Sequence, residues 1–368
     1  MPKLAIIGAS YLQLPLVEKA NAMGIETHCF AWPEGAVCKE VANYFYPISI
    51  LEKEAILESC RKIGIDGITT IATDMAMPTI SYVAEELQLV SNSYQSALMS
   101  TNKFLMREAF KKNNCSIPDY IEVEVPQPNI TIPLPVIVKP VDRSGSRGVN
   151  KVTRIEELRT AIEFAIDESI SKRAIIEQYI DGDEISVETI SWNGEHYILA
   201  ITDKVTTGAP HFVEIAHHQP SQLPQIIQEK IKKEVIKCLD ALEIKNGAGH
   251  AEFKITSAGE VYVIEIGARM GGDFIGSHLV RLSTGYDFLK GVIEVALNTF
   301  TLPQKVIEKN SGVYFLSKET EALLDIFEKN NDFEIEKNIF NKQLKKITNS
   351  NDRSGYLIYQ ADSKIELL

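Results

Sequence analysis

Cysteine is scarce. Cys29, Cys38, Cys60, Cys115 and Cys238 are the full set in 368 residues. The number is odd and no two are spaced C-x-x-C, which argues against a disulfide framework and a structural zinc site. Long apolar runs are missing as well: none reaches the roughly 18–20 residues of a membrane span. The opening Met1-Pro-Lys-Leu-Ala-Ile-Ile-Gly8 has too little apolar length for a secretory signal and runs straight into a turn. A soluble, cytoplasmic protein with no membrane partner is the expectation. A basic excess is also lacking, since 38 Lys and Arg face 50 Asp and Glu, a net charge of −12. That balance disfavours nucleic acid as a partner but not a single nucleotide, which needs only a few local cations. Two phosphate signatures are absent. G-x-x-x-x-G-K-[ST] occurs nowhere, which excludes a P-loop NTPase. Of G-x-G-x-x-G only the first glycine is present, in Gly8-Ala-Ser-Tyr-Leu-Gln13, so an NAD-dependent dehydrogenase has little support.

What is present is ordinary globular material, 45 % hydrophobic and 24 % charged, long enough for two to four domains. Up to residue 95, short apolar runs (Leu4–Ile7, Glu26–Trp32, Gly67–Ala72) alternate with helical patterns (Leu14–Met23, Glu52–Ile63). Such alternation predicts βαβ units and a parallel sheet. Then Pro118, Pro126, Pro128, Pro133, Pro135 and Pro140 crowd one stretch, predicting a linker into a strand at Val136–Lys139. Thr153 with Glu156 reads as a capping box for a helix bearing Leu158, Ile162 and Ala165 on one face. Ala174–Tyr179 and Glu184–Ser191 read as strands joined by a turn at Asp181-Gly182. Ile226–Leu242 reads as a long amphipathic helix. Gly249–Ile255 and Val261–Ile266 form a hairpin. The polar, strand-like segment after residue 300 reads as a small terminal unit with no legible chemistry.

Three strings carry candidate chemistry. Lys139 closes a strand, and Asp142-Arg-Ser-Gly-Ser-Arg-Gly-Val149 follows almost at once. Its small residues permit close approach of backbone N–H groups to phosphate oxygens, although an ordinary polar turn explains the loop equally well. Glu252 and Glu265 lie on the two strands of the hairpin, where a cation between them would offset their repulsion. Arg269 shares a face with Glu265 if its strand continues. A fourth string, Glu177-Gln-Tyr-Ile180 followed by Glu184, reads by itself as a hairpin.

In this order the four pieces resemble the ATP-grasp superfamily of carboxylate–amine ligases, over roughly residues 1–300. The resemblance implies an α/β and α+β multidomain fold: a Rossmann-like N-terminal domain (1–95), an ATP-grasp central domain (96–116 and 192–300), a lid (117–191) and a small C-terminal domain (301–368). It implies ATP and Mg2+ as cofactors, with Mn2+ as an alternative ion. Lys103 and Lys139 would lie on the phosphates, with Ser144, Gly145, Ser146 and Gly148 in the flap over them. Glu177 and Ile180 would read adenine at the hinge, and Glu184 would hold the ribose. Glu252 and Glu265 would bind the metal, and Arg269, with Lys139, would stabilise the transferring phosphate.

One departure stands out: many members carry E-x-N-x-R, whereas this chain reads Glu265-Ile-Gly267-Ala-Arg269. That string is similar to the one in bacterial L-amino acid ligases, as is Phe212-Val-Glu214-Ile-Ala-His217-His218, which implies that Glu214 and His217 face the substrates. The implied partners are a small-molecule carboxylate and an amine. Homodimerisation is open. Adjacent His217 and His218 would point to opposite faces of a strand and so would not share a metal. The competing expectations are a purine-pathway ligase of the phosphoribosylamine–glycine type, a biotin-dependent carboxylase and a non-catalytic ATP sensor.

Overall fold

The computed structural model describes residues 1–126, 130–209 and 211–368; Pro128 of the proline-rich stretch lies outside them. The N-terminal strands β1 (Lys3–Ile7), β2 (Glu26–Phe30), β3 (Tyr44–Tyr46) and β4 (Gly67–Thr69) form one sheet in the order β3-β2-β1-β4. Every pairing is parallel. Helix α1 (Leu14–Ala22) joins β1 to β2 and α2 (Lys53–Ile63) joins β3 to β4, while α3 (Met77–Leu87) follows β4. Only β3 was not legible, because three residues show no periodicity. Two further helices, α4 (Tyr94–Thr101) and α5 (Lys103–Lys112), lead out of this unit.

A second four-stranded sheet has the order β5-β8-β6-β7, with β5 at Tyr120–Val123, β6 at Val136–Pro140, β7 at Asn150–Val152 and β8 at Ala174–Gln178. Helix α6 (Ile155–Glu168) packs on it. The expected capping box is not formed: the residue before the helix is Arg154, and no side chain caps the N-terminus. Val136, Val138, Leu158, Ile162 and Ile176 build a core private to this sheet.

The remaining strands form a single eight-stranded sheet, β13-β12-β9-β10-β11-β14-β16-β15. They are β9 (Asp183–Trp192), β10 (Glu195–Thr206), β11 (Glu214–Gln219), β12 (Gly247–Ile255), β13 (Val261–Gly267), β14 (Asn310–Leu316), β15 (Glu334–Ile339) and β16 (Gly355–Ala361), with α7 (Gln225–Ala241) against β13. Its core is continuous with that of the N-terminal unit: Ile7 and Ile80 share a cluster with Val187, Phe253 and Val263.

Two expectations fail here. The turn at Asp181-Gly182 does not join a hairpin, because β8 pairs with β5 and β6 while β9 pairs with β10 and β12. The chain crosses between sheets at this point, pressed so close to β12 that a Cβ on Gly182 would lie 2.0 Å from the carbonyl oxygen of Ile255. The expected lid boundary at residue 191 therefore falls at the far end of a strand of the large sheet. The segment after residue 300, expected as a small terminal unit, adds β14–β16 to that sheet through antiparallel β11–β14 pairing. Among the described residues no helix is long and apolar enough to cross a membrane.

Candidate functional site

A cavity of about 730 Å3 lies between the small and large sheets. Strand register decides what faces it. In the β12–β13 hairpin Glu252 sits directly opposite Glu265, and both line the cavity, as the sequence predicts. On β9, Glu184 is flanked by Lys204 of β10 and Lys254 of β12.

The three-residue spacing of Glu214 and His217 would put them on opposite faces of a regular strand. A bulge corrects this. Thr206 pairs with Glu214 and Val205 with Ala216, which leaves Ile215 as the extra residue. Glu214 and His217 therefore share the cavity face with Lys204. The ring of His218 points the other way and bonds the Tyr359 hydroxyl at 2.9 Å.

Lys204 is the residue sequence reasoning passed over. Its ammonium lies 2.7 Å from Glu184, 2.8 Å from Glu252 and 3.3 Å from Glu214. Burial by itself would lower its pKa, but the three carboxylates outweigh burial and hold it well above the usual lysine value. His250 links Glu252 (3.3 Å) to the fully buried Glu188. Burial opposes charge on that ring too, yet Glu188 and Glu252 push the imidazole up to about 9.

A second cluster is rich in cations. Asn102 caps α5 by accepting from the N–H groups of Phe104 and Leu105, which fixes Lys103 in the first turn. Lys103 donates to the Arg143 carbonyl (2.7 Å) and pairs with Glu265 (3.0 Å). Glu177 is 3 % exposed and sits between Lys139 (2.7 Å) and Arg107 (2.8 Å). Burial would raise the Glu177 carboxyl, but these two cations hold it below the usual range. Its side chain thus grips Lys139 and Arg107. Arg107, also unforeseen, donates as well to the Ile264 carbonyl at 2.7 Å.

Ile180 lines the cavity, as do Ser144, Gly145 and Ser146 of the flap. Gly148 does not line it, because it packs on Pro140, where a Cβ would lie 2.7 Å from the ring.

Arg269 makes a two-pronged bond to Asp74: Nε to Oδ1 at 2.9 Å and a terminal nitrogen to Oδ2 at 2.8 Å. Asp74 lies beyond β4, and nothing in the sequence singles it out. It explains the missing Asn, since a Cβ at Gly267 would stand 2.5 Å from Asp74 Oδ1. The space another side chain would take belongs to the Arg269–Asp74 pair. Arg353, from the C-terminal segment that carried no legible chemistry, also reaches in. It pairs with Asp273 at 2.8 Å and donates twice to the Glu214 carbonyl.

Residues 132–277 match the ATP-grasp domain family. The matched region holds Lys139, Glu177, Glu252, Glu265 and Arg269, whereas Lys103, Asp74 and Arg353 lie outside it. Two curated relatives are similar in sequence. An ATP-grasp enzyme of Aspergillus fumigatus is 27 % identical over 274 residues, which cover 63 % of this chain and 46 % of that protein. The alanine–anticapsin ligase of Bacillus subtilis (strain 168) is 27 % identical over 274 residues, 64 % of this chain and 57 % of that one. The chain thus spans about half the length of these relatives. In fold it is similar to the L-amino acid ligase of Bacillus licheniformis (TM-score 0.82, 23 % identity, 99 % of this chain and 94 % of that one). It is also similar to phosphoribosylglycinamide synthetase of Anaerococcus prevotii (TM-score 0.78, 23 % identity, 98 % and 94 %).

Proposed function

We propose that this protein is an ATP-dependent carboxylate–amine ligase acting on amino-acid-like substrates. In this reading β1–β4 form a Rossmann-like pre-ATP-grasp domain, β5–β8 the lid and the large sheet the central domain. The private core of the lid suits it to moving as one body. Lys103, Lys139 and the flap would receive the triphosphate. Glu184 would take the ribose. Glu252 and Glu265 are hard oxygen donors facing each other across a hairpin, each already drawing a lysine into the place of a counter-cation, so the donor set fits Mg2+. When bound, the ion would neutralise phosphate charge.

The residues of the chain then bind, orient and exclude water. A substrate carboxylate near Arg269 attacks the γ-phosphate, giving ADP and an acyl phosphate. The amine attacks the acyl carbon, and phosphate leaves. Positioning and charge neutralisation dominate such a reaction.

The observation that carries the amino-acid reading is the charge around Glu214 and Asp273. Among the described residues, the Lys and Arg side chains of this cluster are already matched: Arg353 to Asp273, Arg269 to Asp74, and Lys204 to three glutamates. That arrangement suits an ammonium group and offers no free cation to a ribosyl phosphate. The test is ADP and phosphate release from Mg·ATP with mixtures of the twenty amino acids, with products read by mass. A product lighter by one water than its two parents supports the ligase. ATP binding with no release under any mixture refutes the amino-acid reading in favour of another acceptor or a sensor.

A further inference from the structure

His217 has an unusual environment. It is 1 % exposed, and neither ring nitrogen has a hydrogen-bond partner, whereas buried polar groups nearly always find one. Its ring lines the cavity and stands edge-on to Phe315, with centroids 5.9 Å apart and planes at 83°. Packing therefore sets its orientation. Its Nε2 is 3.7 Å from Asp273 Oδ2.

Asp273 is itself held from the C-terminal segment. Arg353 pairs with it at 2.8 Å, lies 3.7 Å over the same Phe315 ring, and is anchored by donating to the Glu214 carbonyl at 3.0 and 3.2 Å. The backbone here is strained. Asp273 and Phe274 have φ of 50° and 65° without being glycine, and a π-helical turn, Ile275–Leu279, follows. Such conformations persist only where the surroundings enforce them, and they concentrate at functional sites.

We propose that Arg353 and Asp273 are positioning residues that hold His217 to accept the proton of the attacking amine. The inference rests on the ligase reading and adds the acceptor step to it. Asp273 stands 3.7 Å from Nε2, too far for a hydrogen bond, but its charge favours a proton on that nitrogen, which leaves Nδ1 to receive the proton. As the amine nitrogen bonds the acyl carbon, the acyl C–O bond to phosphate breaks and phosphate leaves with the electron pair. The bound ammonium first gives one proton to Nδ1 and becomes nucleophilic, and the second N–H proton leaves with the phosphate as the amide forms. The earlier phosphoryl transfer needs no such base, because its nucleophile is already a carboxylate. The relay therefore serves only the second half of the reaction.

The test compares two nucleophiles in wild-type protein, Asp273→Asn, Arg353→Gln and Arg353→Lys. Amino acids need a base, whereas hydroxylamine is neutral at pH 7 and traps an acyl phosphate as a hydroxamate without one. In the Asn and Gln variants amino-acid ligation falls about 100-fold, hydroxamate formation falls by less, so that the ratio of the two drops at least about tenfold, and Arg353→Lys recovers part of the loss. Equal loss with both nucleophiles marks a merely structural role and overturns the proposal. If wild-type protein gives neither product, the ligase reading falls and the proposal with it. The 15N shifts of His217 in the resting protein read the positioning independently of any reaction. A single Nε2–H tautomer that becomes a mixture in Asp273→Asn supports it, and unchanged shifts refute it.

Discussion

Around Glu177 two cations, Lys139 and Arg107, converge on one carboxylate; around Lys204 one ammonium serves three carboxylates, Glu184, Glu252 and Glu214. Glu177, Lys139, Arg107 and Lys204 are buried, where an unmatched charge is costly, whereas the three glutamates around Lys204 are half-buried. The imbalances of the two clusters are opposite, and each is what an incoming ligand would correct. The cation-rich cluster lies beside the flap and suits a polyphosphate. The carboxylate-rich cluster suits a divalent ion and an ammonium group.

The largest expected effect comes from removing the minority charge of either cluster. Glu177→Gln leaves Arg107 and Lys139 without an anion and should cost about 3–5 kcal/mol in urea unfolding. Polyphosphate should restore part of that, and Ca2+ should not. Lys204→Met should be destabilising by a similar amount, with the rescue reversed. If the same ligand rescues both variants, the contrast between the clusters is wrong.

Next in size is Glu265→Ala, which should lower turnover about 100- to 1000-fold with little change in melting temperature, because Lys103 keeps its bond to the Arg143 carbonyl. Activity within tenfold of wild type would remove Glu265 from the site.

The carboxylate-rich cluster also makes a pH prediction. The folded-state value of His250, about 9, exceeds its ordinary 6.5. Its stabilisation is therefore complete below pH 6.5 and lost as pH rises through 9, on the order of 3 kcal/mol. Denaturation midpoints should fall across that window, and His250→Asn should flatten the slope. A midpoint constant from pH 6 to 9 in the wild type contradicts the assignment.

The smallest effect tests the Asp74–Arg269 pair. Gly267→Ala should push Asp74 aside and slow turnover about tenfold, roughly 1.4 kcal/mol, while Ala268→Gly beside it should not. Equal rates in the Ala variant would mean that Asp74 yields without consequence.

Local pattern carried much of this structure. Alternation of short apolar runs with helical stretches showed the parallel sheet, and only the three-residue β3 escaped. The hairpin that opposes Glu252 to Glu265 was legible because its turn and both strands are contiguous. The crossing at Gly182 was misread as a hairpin turn, since a break between sheets and a tight turn use the same residue types. Asp74 and Arg353 were missed for another reason: each is an ordinary charged residue in an ordinary loop, and only its distant partner gives it a role. The same pairing sets the structural cost of Arg269→Ala. It would leave Asp74, 9 % exposed, without its cation.

The sequence by itself determined many of the elements and the family resemblance, because periodicity and short-range spacing are local properties of the chain. The tertiary structure alone decided which charges meet. The bulge at Ile215 turns Glu214 and His217 to one face, the register of β9, β10 and β12 surrounds Lys204 with glutamates, and the long return of the C-terminal strands delivers Arg353 to Asp273. Pairings between residues tens to hundreds of positions apart depend on how sheets and loops are stacked in space, and that information is not held in any one stretch of the chain.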